Sequence, residues 1–323
     1  MKLDTVLRLA SCTKLLTTIS CLQAVDRGLV KLDDDVSCYI PSLATQDILT
    51  GFAWYGKPRM KPRSRPITLR HLLLHTAGTG YDFFPTQPLW RYRVWNRQAI
   101  SSGCYVEERF TYPLLHEPGE GWTYGSGASW AGKVLEEISG MSLESWMNRH
   151  ISEPLGLTSL TFFPFANEAV SSRLATVSTR DELTGKFIYQ PGHSDSIFLQ
   201  DCLGGEGAHA SLEDFMAILQ SLLMDDEKLL SKSSSAMMFT PQLTDVERKP
   251  MRECIDQPNW ICTNLVKKAE YDWSLGGVLV DGDGHEFLSR GTLMWSGLYH
   301  IYFVSFTFDS ISISPLDHGS DIC

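Results

Sequence analysis

Apolar residues at Leu15, Leu16, Ile19, Leu22 and Val25 recur at steps of three and four, the period of a helix with a buried face. The pattern predicts a helix over residues 11–28, closed by Gly28 as a C-cap. Thr68 to His75 reads as a second helix, with Thr68 as N-cap and Gly78 beyond its end. Others are expected from about Ala128 to Ile138, ended by Gly140, from Ser142 to Ile151, and from Ser211 to Met224. Residues 231–235 read as a polar connector or a helix start. From Trp273 the pattern turns to strands. Trp273–Val280 is followed by a turn at Asp281–Gly284, and His285–Leu298 returns as its hairpin partner, with a bend at Arg290-Gly291. Tyr299–Phe308 alternates aromatic and polar positions and reads as a further strand.

Between these elements the signals are weaker. Residues 57–66 are basic and proline-rich and read as a solvated surface loop, with contact to an acidic partner as the lesser reading. Trp90, Tyr92 and Trp95 either wall a cleft or pack. Leu203–Gly207 is a glycine-rich turn that matches neither the phosphate-binding loop nor the dinucleotide fingerprint. His71 and His75 have a metal-ligand spacing, but Leu72 stands where a zinc protease needs glutamate, so packed or hydrogen-bonded histidines are expected.

The 323 residues suffice for one large domain or two subdomains with ample core. A formal net charge of -10 argues against a general nucleic-acid binder. No apolar run reaches membrane-spanning length, and the start, Met1-Lys2-Leu3-Asp4, lacks the apolar core of a signal peptide. Eight cysteines without paired spacing read as reduced thiols, and a cytoplasmic protein is expected.

Ser11 and Lys14 lie three apart at the start of the first helix, so the amine can sit beside the hydroxyl. An amine kept neutral by burial can take the proton of a serine and turn it into a nucleophile. Unpaired N–H groups of the first turn can face a developing oxyanion. Alone, the spacing is common and also fits a solvated helix start.

Read in order, Ser11-x-x-Lys14, Tyr124-Gly125-Ser126 in a loop opening a helix, and Trp295-Ser296-Gly297 on a late strand resemble the three motifs of the serine β-lactamase and penicillin-binding-protein superfamily. The chain looks most like its class C branch of esterases and transesterases, and within it like the fungal acyltransferases of the lovastatin pathway. Separated blocks at 8–19, 27–30, 68–78, 124–133 and 204–207 carry the similarity, which covers about residues 5 to 298.

The resemblance implies an α/β (α+β) fold, an antiparallel sheet flanked by helices with a helical subdomain, over residues 1–298. Residues 299–323 leave the pattern as a divergent tail. It further implies a ping-pong acyl transfer in which Ser11 is acylated and Lys14 and Tyr124 handle the proton. The N–H groups of Ser11 and Leu298 would form the oxyanion hole. Arg8, Tyr81, Tyr124, Phe198, Trp295, Gly297 and Leu298 would line the substrate pocket. Each has a plainer role open to it: Arg8 as a partner of a carboxylate, Tyr81 as a loop cap, Trp295 as strand core. The expected partners are an acyl thioester, CoA-like or on an acyl-carrier protein, and a small-molecule alcohol. No cofactor, metal, nucleic acid or membrane is called for.

In the family a helix and two strands precede the Ser-x-x-Lys helix, and a longer strand and a covering helix follow the last motif. Here Ser11 is eleventh, and the expectation is a chain shortened at both ends. Two alternatives therefore accompany acyl transfer. One is hydrolysis, with water replacing the alcohol; the other is an inactive remnant. A bare β-lactamase is disfavoured, because Trp295 stands where a basic residue usually meets the β-lactam carboxylate.

Overall fold

The helix that carries Lys14, α1 (Thr13–Asp26), is buried around nearly its whole circumference. Its polar side chains are buried too, and several hydrogen-bond within the core, as burial without water favours. Thr17 Oγ1 donates to the Gly204 carbonyl at 2.7 Å, and Ser20 Oγ donates back to Leu16 at 2.9 Å. Gln23 donates to the carbonyls of His150 and Leu229 and accepts from the indole of Trp146 at 3.0 Å. The sequence pattern shows one apolar face because it counts these residues as surface; their hydrogen bonds make the other face part of the core.

The computed structural model describes residues 2–83, 87–181, 184–190, 199–257, 265–266, 269–298 and 301–305. Strand β1 (Val6–Arg8) leads through a tight turn at Ala10–Cys12 into α1. Short helices follow: α2 (Pro41–Ala44), α3 (Leu69–Leu73), α4 (Pro88–Trp95) and α5 (Val106–Phe110). The hairpin of β2 (Ile48–Phe52) and β3 (Pro58–Lys61) lies between α2 and α3. Helices α6 (Gly127–Ser139) and α7 (Leu143–Met147) pack on α1. After α8 (Glu153–Leu155) and α9 (Glu168–Ser171) come the hairpin β4 (Val177–Arg180) and β5 (Phe187–Gln190) and then β6 (His209–Ser211), which pairs antiparallel with β1. Helices α10 (Leu212–Met224), α11 (Lys232–Met238) and α12 (Asp245–Ile255) precede the main sheet. That sheet is antiparallel, in the order β10 (Ile301–Ser305), β9 (Leu293–Gly297), β8 (Gly277–Val280), β7 (Tyr271–Ser274).

Most expected helices are present. Thr68 caps α3 with a full capping box in which the His71 imidazole takes the place of the usual acidic partner. Gly140 closes α6 in the left-handed conformation, and Ser211 and Ser231 cap α10 and α11. The run 273–280, expected as one strand, is instead two strands joined at Leu275-Gly276. Gly276 turns the chain there with φ of +102°, a conformation that side chains disfavour. Residues 285–292 form no strand, so of the expected returning strand only Leu293–Gly297 pairs with β8. The basic stretch 57–66 is more than a solvated loop. Part of it is β3, and Lys61 and Arg65 meet Glu117 and Glu120 at 3.2 and 2.7 Å. Strand β10 lies within the strand expected at 299–308, whose other residues fall outside the described ones.

Among the described residues no helix is long and apolar enough to cross a membrane. The core joins α1, α3, α6 and the sheet in one apolar cluster that includes Leu16, Leu72, Trp130 and Val278. Leu16 has no exposed surface. Leu16→Ala is therefore expected to lower unfolding stability by about 2–5 kcal/mol. Denaturant unfolding checks this, and a loss below about 1 kcal/mol would place Leu16 outside the core.

Candidate active site

Lys14 is 2% exposed, and its ammonium reaches three oxygens. Nζ donates to Ser11 Oγ at 3.2 Å, to the Tyr81 hydroxyl at 3.3 Å and to the Gly205 carbonyl at 2.8 Å. An ammonium has three hydrogens, so this set uses all of them. The same positions serve a neutral amine. It keeps the bond to Gly205 and turns its lone pair to the proton of Ser11 or Tyr81. A proton can thus leave Ser11 without any heavy atom moving. Helix geometry supplies the contact to Ser11 locally, while Tyr81 and Gly205 come from distant loops.

Ser11 is half-buried on the turn between β1 and α1. Ala10 before it has φ of +45°, a left-handed conformation costing about 1–2 kcal/mol for an L residue. The neighbours hold it there. Leu9 N–H donates to the Ala208 carbonyl at 2.9 Å, and β9 crosses directly over the turn. Gly297 is why the crossing is so close: a Cβ there would lie 2.3 Å from the Leu9 carbonyl oxygen. Gly297, expected in the substrate pocket, is thus first a packing residue. Leu298 follows it and is 72% exposed.

Tyr124 is buried beside Lys14, whose Nζ lies 4.6 Å from the ring centroid. The Trp295 indole donates to the Tyr124 hydroxyl at 3.2 Å. Trp295 is therefore both buried strand core and a site contact. Gly125 lets this loop pass Thr79 and Gly80, since a Cβ would lie 2.0 Å from the Thr79 carbonyl oxygen.

Tyr81, expected as a pocket residue, is a hydrogen-bond partner of Lys14. Burial, and secondarily the nearby Glu206, push its phenol well above the ordinary value, so it stays protonated and can give or accept a hydrogen bond. Its position is fixed by the next residue. Asp82 and Arg93 form a buried ion pair at 2.9 Å; Asp82 also accepts from Ser101, and Arg93 donates to the Arg109 carbonyl at 2.6 Å. The Tyr112 hydroxyl ties the Gly80 carbonyl down at 2.6 Å.

Arg8 ends β1 opposite His209 of β6. Phe198 lies outside the described residues. His71 and His75 are hydrogen-bonded through Nδ1, to the Thr68 and Gly125 N–H groups, and the described residues contain no cluster of three metal-binding side chains. The sequence reading missed Gly205, Ser129 and Asp82. Ser129 Oγ accepts from the Gly205 N–H at 3.1 Å and so orients the peptide that faces Lys14. The Gly204-Gly205 pair within a recognised block was the available signal.

With the sheet, the Ser-x-x-Lys turn and the facing tyrosine loop in place, the chain belongs to the beta-lactamase family, whose profile matches residues 1–306. It is 37% identical over 300 residues to the lovastatin esterase of Penicillium rubens, covering 92% of this chain and 75% of that protein. It is 36% identical to the ML-236A carboxylate methylbutanoyltransferase of Penicillium citrinum, covering 92% of this chain and 72% of the relative. A solved simvastatin synthase (LovD) variant from Aspergillus terreus superposes with a TM-score of 0.86 at 34% identity, covering 95% of this chain and 73% of that one.

Two predictions concern stability. Asp82→Asn leaves Arg93 buried without its counter-charge, at an expected cost of about 3–5 kcal/mol in denaturant unfolding; a loss under about 1 kcal/mol would mean that the pair does not hold the Tyr81 loop. Burial lowers His71, His75 and His116 below the ordinary imidazole value. Their unfolded values lie near about 6.5, so at more acid pH the folded chain binds fewer protons than the unfolded one. Their contribution is full above that pH and is lost as pH falls through it. The melting temperature is expected to fall from about pH 7 to pH 5, and a constant or rising one would contradict the assignment.

Proposed function

We propose that the chain is an acyltransferase that moves an acyl group from a thioester to a hydroxyl of a small hydrophobic secondary metabolite through an acyl-Ser11 intermediate. The observation that carries this is the buried Lys14 amine in contact with Ser11 Oγ. Family relatives named as methylbutanoyltransferases supply the reaction class. Ser11 Oγ attacks the thioester carbonyl and its proton passes to Lys14. The C–S bond then breaks and the thiol leaves with a proton returned from the Lys14, Tyr81 and Tyr124 group. The acceptor hydroxyl repeats the sequence in reverse, losing its proton to the same group and taking the acyl carbon from Ser11. The N–H groups of Ser11 and Leu298 are assigned to the oxyanion. Arg8, Trp295 and Phe198 are assigned to the pocket. The donor is a CoA-like or carrier-bound thioester.

A second reading, ester hydrolysis, is favoured by the likeness to a lovastatin esterase. Both readings share one acyl-enzyme and differ only in whether an alcohol or water removes the acyl group.

Intact-mass spectrometry after incubation with an acyl thioester is expected to show one acyl adduct on the wild type and none on Ser11→Ala. Lys14→Ala is expected to slow adduct formation by about 100-fold or more. Added alcohol should then take the acyl group in preference to water, whereas release only as free acid would favour the esterase. A folded chain that forms no adduct would contradict both readings.

A further inference from the structure

His75 is a buried residue of the site to which the proposed reaction gives no task. Its backbone is left-handed, with φ of +62°, and the side chain is 1% exposed. Two hydrogen bonds join it to the tyrosine loop. The Thr123 N–H donates to its carbonyl at 2.9 Å, and the Gly125 N–H donates to its Nδ1 at 3.2 Å. The ring packs on Tyr124 with centroids 4.6 Å apart, and Trp273 and Trp122 close around it at 4.8 and 5.8 Å. Nδ1 accepts, so the neutral ring carries its hydrogen on Nε2.

We propose that His75 is a positioning residue for the acyl transfer: by accepting the Gly125 N–H and backing the ring of Tyr124, its neutral imidazole holds the phenol at Lys14 and Ser11. This rests on the acyl-transfer reading of the site. Residues 124 and 125 are adjacent, so one hydrogen bond and one ring contact fix both the backbone and the side chain of the tyrosine. Protonation undoes the arrangement. A proton on Nδ1 removes the acceptor for Gly125 and places a cation near Lys14. Burial and, after it, Lys14 keep the imidazole well below its ordinary value, so release belongs to the acid end of the pH range. The groups that face it are Lys14 of α1 and Tyr124. From β7, next to Trp273, the Asp272 carboxylate is already taken by Arg248 at 2.6 Å and by the N–H groups of Gln242 and Leu243.

The test is the rate of Ser11 labelling by a fluorophosphonate against pH, in the wild type, His75→Asn and His75→Phe, each first shown to melt cooperatively. Asparagine puts an oxygen near the place of Nδ1, tolerates the left-handed backbone and does not titrate. His75→Asn is expected to label within about five-fold of the wild type near neutral pH, and His75→Phe about 50-fold slower. At the acid end the wild-type rate should fall with the steeper slope of two protonations, and that of His75→Asn with one. The proposal is overturned if folded His75→Phe labels like the wild type, if both variants are equally slow, or if the acid slope of His75→Asn is unchanged. The slope comparison stands even where His75→Phe does not fold. Absence of labelling in the wild type itself would strike the acyl-transfer reading, before any variant is compared.

Discussion

The site depends on one buried amine. Lys14 is removed from water, and its desolvation is offset by three oxygen partners drawn from three parts of the chain. An ammonium in a dry site must be met by acceptors or give up its proton, and here the same oxygens allow both. Both protonation states can therefore be hydrogen-bonded without rearrangement of the surrounding atoms. The strain at Ala10 and the close crossing of β9 belong to the same constraint, because they fix the hydroxyl that the amine contacts.

Around this centre the fold supplies rigidity in polar as well as apolar form. The Asp82–Arg93 pair fixes the Tyr81 loop, Ser129 orients the Gly205 peptide, and Trp295 and His75 bracket Tyr124. Close backbone passages at Gly125 and Gly297 let these loops approach the helix start without intervening side chains. The scaffold is thus tight where loops meet, which is where a geometry of a few tenths of an ångström decides whether a proton can move.

Much of this was legible in the sequence where the signal is local. Ser11 and Lys14 are three apart, the helix caps are adjacent to the elements they close, and the ordered motifs carried the family and its fold. What could not be read was set by long-range contact. Tyr81 and Gly205 lie 67 and 191 residues from Lys14, and although the resemblance marked Tyr81 and the Gly204-Gly205 block, it did not show that either meets the amine. The hairpin at Leu275-Gly276 was hidden because both of its strands are fully buried, including Asp272 and Ser274, and no polar turn separates them. Helix α12 was missed for the opposite reason: it is strongly polar, contains Pro250 and buries only Glu247 and Met251.

The most direct test of the central claim is a crystal structure of the chain after reaction with a fluorophosphonate. The account predicts phosphorus bonded to Ser11 Oγ and a phosphonyl oxygen accepting from the N–H groups of Ser11 and Leu298. Lys14 should remain within hydrogen-bond reach of Oγ, Tyr81 and Gly205. Phosphorus on another residue, or Lys14 turned away from Ser11 in the adduct, would contradict it.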